Sequence, residues 1–237
     1  MIWSSIILFE FILWIIDETL VMLNFIVLLI EAYKKHKADI PAAYDAGLAG
    51  FFLINFIAYS ILVLRHFFYQ ALWESMNILL ISREITQVLT LLSLVAIMIG
   101  IERDIIKRTH YVLSILMAIY IVVITILMAS GLSINILEFP FNLINLGLLG
   151  VLPAIFIYIA VKYSGKLRKN SLIMLVALLL LFWGGITSYE NFEDIFPTLL
   201  ADPTLNIIVR IASVSYIIVG LLILAIYFIK TRMKSNS

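Results

Sequence analysis

Seven long apolar stretches, near residues 4–32, 42–66, 82–101, 111–131, 142–162, 171–189 and 206–229, alternate with short polar gaps along the chain. A hydrocarbon core about 30 Å thick takes roughly 20 apolar residues in helical form, and backbone in lipid must satisfy its own hydrogen bonds. Each stretch is therefore predicted to be a transmembrane helix. The breaks fall at Pro41, in the charged run 102–110, at Gly131 with Pro140, at Ser164 with Gly165, and at Pro197 with Pro203, where residues of these types turn or end a helix. Gaps this short make consecutive helices antiparallel neighbours. The expected fold is an all-α polytopic membrane protein, a single seven-transmembrane-helix bundle over residues 1–237. The strand-type alternation of an outer-membrane barrel is absent.

Composition leads to the same class, because 64% apolar and 13% charged residues in a chain of 237 leave too little polar surface to cover a soluble globule. Charge then adds an orientation. All nine lysines fall in alternate gaps: Lys34, Lys35 and Lys37, then Lys107, then Lys162, Lys166 and Lys169, then Lys230 and Lys234. Short loops rich in Lys and Arg stay cytoplasmic, so the N-terminus is expected outside and the C-terminus inside. On this assignment the inner side holds thirteen Lys and Arg against five acids, and the outer side three against ten. Residues 1–10 carry no Lys or Arg and lack the basic start of a cleaved signal peptide, so they are expected to remain in the first helix. The expected location is multi-pass, in the cell membrane.

The informative residues are the polar ones within the apolar stretches. Glu10, Asp17, Asn24 and Glu31 recur every seven residues in the first stretch and so share one face of a helix. Glu18 stands beside Asp17, and an ionised carboxylate at such a depth costs several kcal/mol without a partner or water. The third stretch offers Arg83, Gln87 and Thr90, with Glu84 beside Arg83; the seventh offers Asn206, Arg210 and Ser213. A network of Asp17, Glu18, Arg83, Glu84, Gln87, Arg210 and Ser213 is expected in the outer half, with Arg83 and Arg210 as counter-charges. It serves either as interhelical pairs that fix register or as the lining of a cavity for a small polar ligand or ion.

Three further features are weaker. Residues 188–204 carry four acids and no Lys or Arg, which fits a solvated outer loop, or a lid or cation-attracting site built from Glu190, Glu193 and Asp194 without the ligand spacing of a calcium loop. Phe67, Phe68, Tyr69 and Trp73 fit an interfacial aromatic belt, and Arg65 and His66 stand at the cavity's expected mouth. Ala46-x-x-x-Gly50 reads as a helix-packing contact, and Gly184-Gly185 as a site of close packing or a kink.

Several chemistries lack their residues. The last stretch has no interior lysine for a retinal Schiff base, and of the three histidines His36 and His110 belong to the inner side and His66 to the outer, which disfavours a bis-histidine haem or clustered zinc site at one depth. No cysteine is present, so neither disulfides nor thiolate metal sites form. No cofactor and no nucleic-acid partner are expected, and catalysis is the least expected activity. In helix count and orientation alone the chain resembles seven-helix receptors and sensory modules, which implies a sensor or receptor-like protein signalling to a cytoplasmic or membrane protein partner. A small secondary transporter using the acid and arginine cluster is the alternative, and an accessory subunit of a membrane complex is a third.

Overall fold

The computed structural model describes residues 2–72, 76–106, 109–130, 150, 153–186 and 203–233, and their regular structure is helical throughout. Seven helices lie among the described residues: α1 (Ile2–Lys37), α2 (Ala43–Leu72), α3 (Met76–Asp104), α4 (Val112–Ala129), α5 (Pro153–Lys162), α6 (Lys166–Ile186) and α7 (Pro203–Met233). Four contain segments long and apolar enough to cross a membrane, Ile7–Lys37, Ala43–Arg65, Glu84–Asp104 and Thr204–Lys230. Val112–Leu127 and Pro153–Lys162 are shorter apolar helices. The surface agrees with a helical membrane bundle: Ile115, Leu116, Ile119, Val122, Val123 and Ile126 of α4 are all exposed, as are Ile12, Ile15, Ile16 and Leu23 of α1. Apolar faces this continuous are rare on soluble monomers.

The chain forms two compact units. The first contains α1 as far as Leu20 with α5, α6 and α7; the second contains α1 from Val21 with α2, α3 and α4. Each is built on one close helix pair made by glycine. In the second unit α2 packs on α3, and α3 on α4. A Cβ built on Gly47 would stand 2.6 Å from the Ala96 carbonyl oxygen, and one on Gly100 would stand 2.6 Å from that of Ala43. Only glycine lets the two backbones approach so closely. The packing face therefore runs through Ala43, Gly47 and Gly50, while Ala46, the residue expected to pair with Gly50, is exposed.

In the first unit α6 packs on α7 in the same manner. A Cβ on Gly184 would lie 2.7 Å from the Ser213 carbonyl oxygen, and one on Gly220 would lie 2.9 Å from that of Ala177. The close packing expected at Gly184 is thus present, and the order of these contacts makes the two helices antiparallel.

α1 buries a single seam along its length. Glu10, Trp14, Asp17, Val21, Asn24 and Leu28 follow one another at steps of three and four and are all buried, as one face of a 3.6-residue helix requires. Glu31, the fourth member of the predicted stripe, is half-buried. The helix ends on Asp39 in the left-handed region (φ 55°), with the Ile40 N–H donating to Lys35 and the Asp39 N–H to His36. These two bonds satisfy terminal carbonyls in the usual way of a helix stop.

Candidate functional site: buried acids of the helix bundle

In the first unit the guanidinium of Arg210 on α7 grips the carboxylate of Glu10 on α1. Nε donates to Oε1 at 2.9 Å and a terminal nitrogen donates to Oε2. The fork matches the carboxylate's two oxygens, the strongest geometry open to such a pair. Glu10 is buried and Arg210 partly so, with side-chain exposures of 7% and 21%. The sequence pattern offers Arg210 as a counter-charge for Asp17, Glu18 or Glu84, and its observed partner Glu10 lies two turns before Asp17 on α1. Helix periodicity identifies which face is polar, but it carries no information on how two helices slide past one another.

Asp17 is left in a different state. It is fully buried, and neither carboxylate oxygen has a hydrogen-bond partner among the described residues. Glu18 follows it and is also buried, so two carboxylates neighbour each other and repel when both are charged. Ser213, on the same face of α7 as Arg210, is buried and donates to the Val209 carbonyl at 2.7 Å. Its hydroxyl is satisfied within its own helix.

The α3 members of the predicted network belong to the second unit. The side chain of Arg83 lies outside the described residues. Glu84 and Gln87 are half-exposed, and the buried polar face of α3 passes through Ser82, Thr86 and Ser93 instead. The hydroxyls of Thr86, Thr90 and Ser93 are spent within the helix: Thr86 donates to the Ser82 carbonyl at 2.9 Å, Thr90 to that of Thr86 at 2.9 Å, and Ser93 to that of Thr90 at 2.6 Å. Back-bonding of this kind lets a polar residue sit in an apolar helix without marking a site. Arg65 on α2 is buried. Glu190, Glu193 and Asp194, and with them the proposed cation-attracting loop, lie outside the described residues.

A second group of acids, which the sequence reading passed over, organises one end of the second unit. Glu102, 2% exposed, accepts from the backbone N–H of Leu113 at 3.0 Å, from that of Ser114 at 2.9 Å, and from the Ser114 hydroxyl. Asp104, two residues further on, accepts the Tyr44 N–H at 2.8 Å. The last turn of α3 thus caps the first turns of both α4 and α2, supplying anions where free N–H groups and the helix dipole favour them. Lys35 of α1 joins the same end through Asp45 of α2 at 2.5 Å. The chain carried one hint of this arrangement: α4 is preceded by His110 and Tyr111, and α2 by Pro41 and Ala42. Neither start has the local Ser, Thr, Asp or Asn that caps most helices.

The turn into α4 is strained for the sake of that cap, since His110 and Tyr111 both adopt left-handed backbone, at φ 46° and 64°. Non-glycine residues, and bulky ones above all, avoid this region. Elsewhere, in the first unit, an open groove of about 410 Å³ is lined by Gly165, Arg168, Lys169, Leu172, Ile173 and Val176 of the α5–α6 turn and α6, and by Ile223 of α7. No family model, curated protein or solved structure matches this chain.

Proposed function

We propose that the chain is a seven-span membrane sensor, N-terminus outside and C-terminus in the cytoplasm, in which Asp17 takes up and releases a proton or a small monovalent cation. The burial of Asp17 without a hydrogen-bond partner among the described residues carries this reading. An ionised carboxylate so placed costs several kcal/mol, and intramembrane acids retained at that cost are commonly functional. A proton or cation relieves the cost directly, so occupancy of Asp17 and the packing around α1 are linked quantities. α1 also carries Lys35, which holds Asp45 in the first turn of α2, so a displacement of α1 reaches the basic segment 34–37 where a signalling partner would dock. The lysine distribution supports the orientation.

Transport through the same residue is the second reading, favoured by Arg210 being engaged by Glu10, which leaves Asp17 as a carboxylate available to a moving ion. One set of preparations separates the two. Thermal unfolding of the purified full chain is followed across pH and in lithium, sodium or potassium chloride, and wild type should respond where Asp17→Asn does not. Proteoliposomes of wild type that hold a pH or sodium gradient as well as protein-free vesicles support sensing; dissipation that Asp17→Asn abolishes supports transport. Identical pH and cation responses in wild type and Asp17→Asn defeat both.

A further inference from the structure

The α6–α7 groove combines two chemistries at a fixed spacing. Arg168 and Lys169 stand at its mouth, both exposed, and Leu172, Ile173, Val176 and Ile223 form its walls. From Arg168 to Val176 the groove follows α6 for about 12 Å at 1.5 Å per residue. Charge is one-sided around it, because every charged residue of α5, α6 and α7 is Lys or Arg, and no acid occurs between Glu138 and Glu190 or after Asp202. Lys230, in the last turns of α7, belongs to the same end, since α7 runs antiparallel to α6 and Ile223 lies beside the start of that helix. Lys162 ends α5 over the rings of Tyr158 and Tyr163, at 5.1 and 5.8 Å from their centroids, in the arrangement of an interfacial anchor.

We propose that this groove is a binding site for an anionic phospholipid, with the phosphate held by Arg168 and Lys169 and one acyl chain lying along Leu172, Ile173, Val176 and Ile223. A basic mouth above an apolar trough matches a molecule that is anionic at one end and hydrocarbon at the other. Charge attracts it to this end, and the trough distinguishes it from a water-soluble phosphate. The site is independent of Asp17 and stands whether the protein senses or transports.

The test is native mass spectrometry of the full-length protein in a neutral detergent, titrated with phosphatidylglycerol, phosphatidylcholine or glycerol 3-phosphate. Phosphatidylglycerol should bind in preference to the other two. Each basic residue near a membrane surface contributes about a fivefold factor, so the double variant Arg168→Gln/Lys169→Gln should weaken phosphatidylglycerol binding roughly 30-fold. Lys34→Gln/Lys37→Gln, which removes equal charge from α1, should leave it within about twofold, because the proposed site holds the phosphate on Arg168 and Lys169. Val176→Trp fills the trough from an exposed position, leaves the charge intact, and should weaken the lipid alone. Equal loss in both charge variants, equal binding of glycerol 3-phosphate, or no effect of Val176→Trp overturns the proposal.

Discussion

Glu102 and Asp17 are acids of nearly equal seclusion, at 2% and 0% exposure, yet they stand in opposite circumstances. Glu102 receives two backbone N–H groups and a hydroxyl at the start of α4, so its charge completes a helix terminus that has no cap of its own. Asp17 receives no hydrogen bond among the described residues. The first acid contributes to stability and is explained by it, whereas the second detracts from stability when ionised and calls for another explanation. Burial alone therefore does not mark a functional carboxylate; burial without satisfaction does.

The contrast can be tested by removing each acid and its neighbours in turn. The largest expected effect lies at the forked pair: Arg210→Ala leaves Glu10 buried without its counter-charge and should destabilise the protein by about 3 kcal/mol, at the low end for a broken buried pair because Arg210 is partly exposed. Denaturant unfolding in detergent micelles measures it. A double-mutant cycle on Glu10 and Arg210 should give a coupling of about 1–3 kcal/mol, while one on Asp17 and Arg210 should be additive within about 0.5 kcal/mol. Comparable coupling in the second cycle would show that Arg210 is shared.

Next comes the cap. Glu102→Ala strips the first turn of α4 of three hydrogen bonds to a charged acceptor, and a loss of about 2–3 kcal/mol is expected. The isosteric Glu102→Gln should cost less, since one oxygen still accepts. Amide exchange should quicken at Leu113 and Ser114 in both variants, and unchanged protection there would contradict the cap. At the α2–α3 crossing, Gly100→Leu forces a side chain against the Ala43 carbonyl and should cost about 1–3 kcal/mol, reversing the usual gain on replacing a helical glycine.

Asp17→Asn belongs at the small end of this series. It removes a buried acid that receives no hydrogen bond among the described residues, so stability should be unchanged or higher by up to about 1–2 kcal/mol, and a loss comparable to that of Glu102→Ala would mean that Asp17 holds structure after all. Smallest is Lys35→Met, which breaks a pair whose lysine is about one-third exposed. A loss of about 0.5 kcal/mol is expected, shrinking as salt is raised.

Much of the architecture was legible in the pattern of apolar stretches, since length and hydrophobicity are the very properties that lipid selects. The seam of α1 was also legible: Glu10, Asp17 and Asn24 repeat at seven, and all three are buried. Pairing between helices was not. Arg210 meets Glu10 rather than Asp17 because the offset between α1 and α7 is set by how their side chains pack, which no periodicity within one helix encodes. On α3 the buried polar face runs through Ser82, Thr86 and Ser93, and Thr86, Thr90 and Ser93 donate their hydroxyls to carbonyls of their own helix, so polar residues there do not reveal in sequence which face meets a neighbour. The capping role of Glu102 and Asp104 stayed hidden because it joins residues across two turns and a neighbouring helix, as in the 60-residue separation of Tyr44 and Asp104.

The most direct test of the account is infrared difference spectroscopy of the membrane-reconstituted protein during a pH or sodium step. The account predicts a carboxyl band that changes with the step in wild type and disappears from the difference spectrum of Asp17→Asn, while that of Glu102→Gln retains it. A spectrum in which Asp17→Asn retains every carboxyl change of wild type would contradict the exchange of a proton or cation at Asp17.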